Sequence, residues 1–261
     1  VINKMEDGVL LQLENVDICR DENVILHQAS LSLHQGEFVY VIGKVGSGKS
    51  SLLKSLYCEI PICGGEARLL NYNLRKIKRK DVPYLRRKLG IVFQDFQLLT
   101  DRSVNKNLEF VLRATGWRSN KDIRNRIEEV LQQVGMQNKG YKMPHELSGG
   151  QLQRVCIARA VACEPEFILF DEAISSLDAH TQVQVMDLLK ELKEKLGLTY
   201  VFITHDLTSV TYLCDEVMFL YKGRITEHIP VSRIAQTTDV YARKLLDSII
   251  EFDEEYDDEM D

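Results

Sequence analysis

FVYVI (38–42) runs without a break into GKVGSGKSS (43–51), and this passage decides the fold. Five consecutive apolar residues are the pattern of a strand buried on both faces. Gly43-Lys44-Val45-Gly46-Ser47-Gly48-Lys49-Ser50 then matches the phosphate-loop pattern G-x-x-x-x-G-K-[ST], in its required place between a strand and a helix. Glycine lets main-chain N–H groups curl around an anion where a Cβ would block the approach. The helix that opens at Lys49, Ser50 and Ser51 adds the partial positive charge of its N-terminus. Lys49 supplies an ammonium for the β- and γ-phosphates, and Ser50 a hydroxyl for a magnesium ion. An ammonium about 4 Å from a phosphate charge is worth roughly 4 kcal/mol at an effective dielectric of about 20. The passage implies an α/β protein that binds ATP with Mg2+.

Working outward, VLLQLENVDI (9–18) and LSLHQGEFVYVIG (31–43) read as strands, with polar turns at Arg20 to Asn23 and at Gln35–Gly36. GGEARLL (64–70) reads as a short strand pair, Arg75 to Lys88 as a basic, solvated face, and LGIVFQ (89–94) as another strand. From Ser103 to Val134 the pattern turns helical. Val104, Leu108, Val111 and Leu112, then Ile123, Ile127, Val130 and Leu131, recur at spacings of three and four. A helix over 147–162, a strand at 167–172, a helix over 181–197, a strand at 199–205, a hairpin over 217–229 and a helix over 240–250 complete the chain. Strands alternating with helices predict a mainly parallel sheet covered on both faces. The domain is expected over 9–248, with an N-terminal antiparallel β subdomain and a helical subdomain inserted at about 95–160. The acidic tail 249–261 is expected to be disordered.

Two further passages carry chemistry. FILFDE (167–172) is a buried strand that delivers two carboxylates, Asp171 and Glu172, to its C-terminal end, where α/β sheets hold their ligands. Asp171 is placed to orient a magnesium-bound water and Glu172 to polarise an attacking water. Leu147-Ser148-Gly149-Gly150-Gln151 opens a helix with a serine and two glycines, a second anion-shaped turn. A helix cap would explain Ser148 alone.

The set resembles the nucleotide-binding subunits of ABC (ATP-binding cassette) transporters, over residues 9 to about 228. In that family LSGGQ is the signature that closes on the γ-phosphate held by another subunit. The resemblance implies that Gln94, ending IVFQ, touches Mg2+ together with Ser50 and Asp171. It implies that Ser175-Ser176-Leu177-Asp178 forms the D-loop across a dimer interface. It also implies that His205, ending VFITH, hydrogen-bonds the γ-phosphate. The partners it implies are a second ATPase subunit, in a homodimer or pseudo-dimer through ATP, and an integral membrane subunit.

The first half, through YKMPHELSGG (141–150), resembles FtsE-like cell-division ATPases, whereas LSGGQLQRV, DEAISSLD and VYARKLLDSI resemble ATPases of peptide and nickel importers. The change falls near residue 145. The membrane-facing surface implied by the resemblance is 94–141, in the FtsE-like half, which favours an FtsX-like partner over an importer permease. A nucleotide-dependent clamp with little turnover is a third expectation. The aromatic residue that the family stacks on adenine is missing at or near Cys19, so weaker ATP affinity is expected.

Composition bounds the rest. The chain has 261 residues and a formal net charge of −6, which argues against a dedicated nucleic-acid binder. No apolar run approaches the length of a membrane helix, and VINKMEDG has no signal-peptide core. A cytoplasmic protein, peripheral to the inner face of the membrane through its partner, is expected. The six scattered cysteines, with no zinc-like spacing, are read as reduced core residues.

Overall fold

The computed structural model of the protein describes residues 7–204 and 214–247. His205 and the tail 249–261, both named in the sequence reading, lie outside the described residues. The chain divides into two compact units, one of Val1–Ile77 with Val201–Asp261 and one of Lys78–Tyr200.

In the first unit, β1 (Val9–Arg20) and β2 (Asn23–His34) pair antiparallel, and β1 pairs on its other side with β4 (Ile62–Leu69). A short β5 (Tyr72–Asn73) completes a sheet of order β2-β1-β4-β5. Alternation explains it: Leu11, Leu13, Val16 and Ile18 are buried, while Gln12 and Asp17 between them keep contact with water. The second strand set of this unit is built on β3 (Phe38–Ile42), every residue of which is buried. β8 (Thr199–Thr204) is buried along its whole length, β3 pairs parallel with β9 (Glu216–Tyr221), and β9 pairs antiparallel with β10 (Arg224–Pro230). Phe38, Tyr40 and Phe202 pack ring on ring, with Phe38–Tyr40 stacked at 5.1 Å and Tyr40–Phe202 tilted at 5.1 Å. Asp215 fixes the start of β3: its carboxylate accepts the Phe38 N–H at 2.8 Å, and its own N–H donates to the Phe38 carbonyl.

The second unit carries the parallel pair β6 (Leu89–Phe93) and β7 (Phe167–Asp171), in a register that sets Phe93 opposite Asp171. Phe170 meets the ring of Tyr200 edge-on at 5.3 Å. The basic stretch read as a solvated face contains a helix, α2 (Val82–Arg87). Pro83 sits in its first turn and Leu85 is buried. The 3–4 spacings form α3 (Val104–Ala114) and α4 (Asn120–Gln133). Both pack against α5 (Gly149–Ala162). Arg126 of α4 is almost fully buried. Its guanidinium donates to the carbonyls of Ala162 at 3.1 Å and Val161 at 2.9 Å, groups that the end of α5 leaves without helical partners. The amide of Asn107 on α3 donates to Leu99 and Arg102 carbonyls and accepts the Leu99 N–H, pinning the loop before the helix. The last helix of this unit, α6 (Ala179–Leu196), ends at Gly197 in the left-handed conformation.

One sequence reading is corrected. The cysteines are not all reduced: Cys19 near the end of β1 and Cys63 at the start of β4 form a disulfide, with Cα atoms 5.9 Å apart. The physical reason is antiparallel pairing, which sets Ile18 opposite Ile62 and brings the two chains side by side. Spacing in sequence does not announce this, because the partners are 44 residues apart. Cys58, Cys156, Cys163 and Cys214 remain thiols. Cys156 is fully buried, and desolvation pushes its thiol up to about 12.

Thiol titration of the denatured, non-reduced protein should count four groups, and six after reduction. On loop-closure entropy, removing the bridge by Cys63→Ser should cost about 4 kcal/mol in a urea melt under oxidising conditions. Six thiols without reductant would show that the bridge does not form.

Candidate functional site

The first group of site residues hangs between β3 and α1 (Lys49–Leu56). Gly43 leaves the end of β3 beside the main chain of Leu220, and a Cβ there would collide with the Leu220 carbonyl and with Ser47 Oγ. Gly48 precedes α1 at φ 106°, a conformation that side chains disfavour. Between them Lys44, Val45 and Gly46 are exposed, and Val45 is 91% exposed. An apolar side chain held in water is unexplained by packing and marks the tip of a loop held by its backbone. Lys49, by contrast, is 4% exposed. Its ammonium donates to the carbonyls of Gly43 at 2.6 Å and Lys44 at 3.1 Å. Ser47 N–H also donates to the Lys44 carbonyl, at 3.1 Å. The loop is thus wound around a buried cation. Ser47 Oγ is buried with no hydrogen-bond partner among the described residues, a state that costs about 1–3 kcal/mol. Ser50 is exposed and Ser51 half-buried at the start of the helix. A buried cation, an orphaned hydroxyl and the first N–H groups of a helix suit an anion with several oxygens. The triphosphate of ATP fits.

The second group lies in the other unit. β6 and β7 run parallel and in register, so Gln94 and Glu172 each follow a member of the Phe93–Asp171 pair. Gln94 donates its side-chain N–H to Ser175 Oγ at 3.5 Å, and Ser175 Oγ donates to the Glu172 carbonyl at 2.8 Å. Asp171 and Glu172 are both half-exposed. Glu172 has a φ of 50°, an uncommon value for a residue with a side chain. Strain of this kind gathers at functional sites and is held by its surroundings. Ser175 was read as part of a sequence motif, but its bridge between Gln94 and Glu172 needs the parallel register to be visible.

The third group opens α5. Ser148 and Gln151 cap each other: Gln151 N–H donates to Ser148 Oγ at 3.4 Å, and Ser148 N–H to Gln151 Oε1 at 3.3 Å. Ser148 and Gly149 are exposed and Gly150 is half-buried, so the helix start faces water. Asp178 likewise caps α6. It accepts the Thr181 N–H at 3.0 Å and hydroxyl at 2.7 Å, and these bonds hold its carboxyl below the usual range. Capping therefore accounts for Ser148, Gln151 and Asp178 locally. Cys19, read as the place of a missing aromatic, has its sulfur committed to Cys63.

The profile of the ABC transporter family matches residues 26–175, more than half of the chain. The chain belongs to this family. Among curated proteins, this ABC protein is 37% identical to the methionine import ATP-binding protein MetN of Helicobacter acinonychis (strain Sheeba) over 227 residues. That match covers 87% of this chain and 69% of the relative. It is 38% identical to the cell division ATP-binding protein FtsE of Streptococcus pneumoniae serotype 2 over 200 residues, 77% of this chain and 86% of the relative. Among solved structures it resembles a dimeric ATP-binding cassette in a post-hydrolysis state bound to ADP and Pi. The TM-score is 0.76 at 31% identity, with 85% of this chain and 99% of that one covered. It also resembles cbiO1 from Clostridium perfringens, part of the ABC transporter complex cbiONQ. There the TM-score is 0.81 at 29% identity, with 92% and 96% covered. The ABC chain is thus an ATPase of α/β fold, with an antiparallel N-terminal sheet and parallel strands carrying the loops. Among the described residues, no helix is long and apolar enough to cross a membrane.

The cap geometry has a direct consequence for stability. Ser148→Ala should lower the unfolding free energy by about 1 kcal/mol, and Ser148→Asp should retain most of it, because aspartate caps as well as serine. Urea melts of the two variants measure this; equal losses would mean that the hydroxyl bond is not what holds the helix start.

Proposed function

We propose that this chain is the energy-transducing subunit of a membrane complex, working as a pair of ATPase subunits that close around ATP. The observation that carries the reading is the loop at 43–50, whose buried Lys49 ammonium waits on carbonyls that a triphosphate can replace. Lys49 takes the β- and γ-phosphates, Ser47 Oγ gains the acceptor or donor it lacks, and the N–H groups at the start of α1 line the anion. Ser50, Asp171 and Gln94 offer a hydroxyl, a carboxylate and an amide oxygen, hard donors of the kind Mg2+ takes. When bound, that ion neutralises charge developing on the phosphate oxygens.

Glu172 polarises the attacking water, a contribution of about 10²–10⁴-fold in rate. Its main chain is held by Ser175, and Ser175 in turn receives the Gln94 amide, so the carboxylate has a fixed base. Ser148, Gly149, Gly150 and Gln151 present an open helix start to the γ-phosphate bound by the second subunit, where partial positive charge and N–H groups stabilise the transferring group. Asp178 holds the start of α6 in the segment that faces that subunit. His205 serves as the γ-phosphate sensor by the family resemblance alone.

For the membrane partner we favour an FtsX-like subunit, because the segment 94–141 that resembles FtsE is the one expected to face it. The importer reading is favoured by a different observation: the MetN of Helicobacter acinonychis aligns over 87% of this chain, against 77% for the FtsE of Streptococcus pneumoniae. Co-purification with an FtsX-like protein and with a methionine-type permease separates the two. Capture by the FtsX-like protein is the expected result, and exclusive capture by the permease would reverse the choice.

In a steady-state phosphate-release assay, Glu172→Gln should bind ATP as tightly as the parent while turnover falls by about 10²–10⁴-fold. Full turnover in that variant would remove Glu172 from the mechanism. Negligible release from the parent itself would favour a nucleotide-dependent clamp.

A further inference from the structure

The phosphate loop is held from outside by a part of the chain nearly two hundred residues away. The turn after β9 runs Tyr221-Lys222-Gly223, and the Gly223 N–H donates to the Ser47 carbonyl at 3.1 Å. Residues 240–247 are helical, and Tyr241 in their first turn stacks on the ring of Tyr221, with centroids 4.4 Å apart and planes 26° from parallel. The Lys44 N–H donates to the Tyr241 phenol oxygen at 2.8 Å. Tyr241 is itself anchored. Asp239 accepts the Ala242 N–H at 2.8 Å and the Thr226 hydroxyl of β10 at 3.1 Å. Thr237 hydrogen-bonds Glu227 of β10, and Arg243 donates to the Thr237 carbonyl at 2.8 Å.

Lys44 is therefore gripped through both of the peptide groups it joins. Its carbonyl accepts the Ser47 N–H and the Lys49 ammonium, and its N–H goes to Tyr241. Once Lys49 turns to a phosphate, the carbonyls of Gly43 and Lys44 lose the cation that draws them inward. The phenol bond does not depend on Lys49 and persists. We propose that Tyr241 is a positioning residue of the phosphate loop, keeping the Lys44 segment in its anion-binding shape as Lys49 moves from loop carbonyls to nucleotide. This rests on the reading of 43–50 as the ATP site and adds to it a C-terminal element that tunes ATP affinity.

The test compares Tyr241→Phe, which keeps the stack on Tyr221 and removes the oxygen, with Tyr241→Ala, which removes both. Titration with a fluorescent ATP analogue and steady-state kinetics are run beside Lys49→Ala. Tyr241→Phe should raise the analogue Kd and the KM for ATP about two- to tenfold, the range of one lost hydrogen bond. The larger part of the change should fall in KM rather than kcat, and the melting temperature should drop by only the few degrees that one hydrogen bond supports. Tyr241→Ala should raise KM further. Parent-like or lower KM in Tyr241→Phe, or a fall confined to kcat, overturns the proposal while leaving the ATP site intact. Parent-like binding by Lys49→Ala would instead overturn the reading of 43–50, and this inference with it.

Discussion

A buried ammonium with main-chain carbonyls for company is the constraint on which the phosphate loop depends. Taking a charge out of water costs several kcal/mol even after relaxation, and Lys49 recovers it from the Gly43 and Lys44 carbonyls. That demand winds the loop. The carbonyls must turn inward, Gly48 must take a left-handed conformation, and the side chains of Lys44 and Val45 are driven out to water. The N–H groups that follow are then left at the head of α1. A loop that satisfies its own cation in this way can exchange carbonyls for phosphate oxygens without refolding, which is preorganisation in its simplest form.

The carboxylates at the end of β7 depend on a different device. A parallel pair in register ends two strands at the same level, so Gln94 and Glu172 emerge side by side with no need for a dedicated scaffold. Ser175 then spans them. The unusual backbone of Glu172 turns the chain sharply at the end of β7, which takes the second acid out of the strand's alternation. At the helix starts, one set of bonds serves two ends. Ser148 with Gln151, and Asp178 with Thr181, satisfy N–H groups that a helix leaves open, and they also keep those starts in water. Selection on stability and selection on chemistry are hard to tell apart at such positions, and substitutions that preserve the cap are the ones that separate them.

The two readings of partner follow from where the relatives agree. The MetN and FtsE relatives are both ATP-binding proteins, so nucleotide handling does not discriminate between them. Discrimination must come from surface differences, since specificity is a difference between affinities. The helices α3 and α4 supply such surface, including Phe110 and Tyr141 close by, both exposed. Each also carries a cation on its ring, Arg102 on Phe110 and Lys142 on Tyr141.

The sequence by itself determined the strand–loop–helix at 38–56, the acids ending β7, the helix start at 148, and most of the order of strands and helices along the chain. These are local patterns, fixed by spacing of apolar residues and by the few residue types that tolerate a tight anion-binding turn. The helix in the basic stretch escaped it, because one buried residue, Leu85, is too little periodicity to register. The tertiary structure decided what depends on long separations. The Cys19–Cys63 bridge follows from strand register, the Gln94–Ser175 bond from parallel pairing, and the Tyr241 bond to Lys44 from the placing of a late helix against an early loop. In each case the energy lies in contacts between residues whose distance along the chain is unrelated to their distance in space, and no reading of neighbours can recover that.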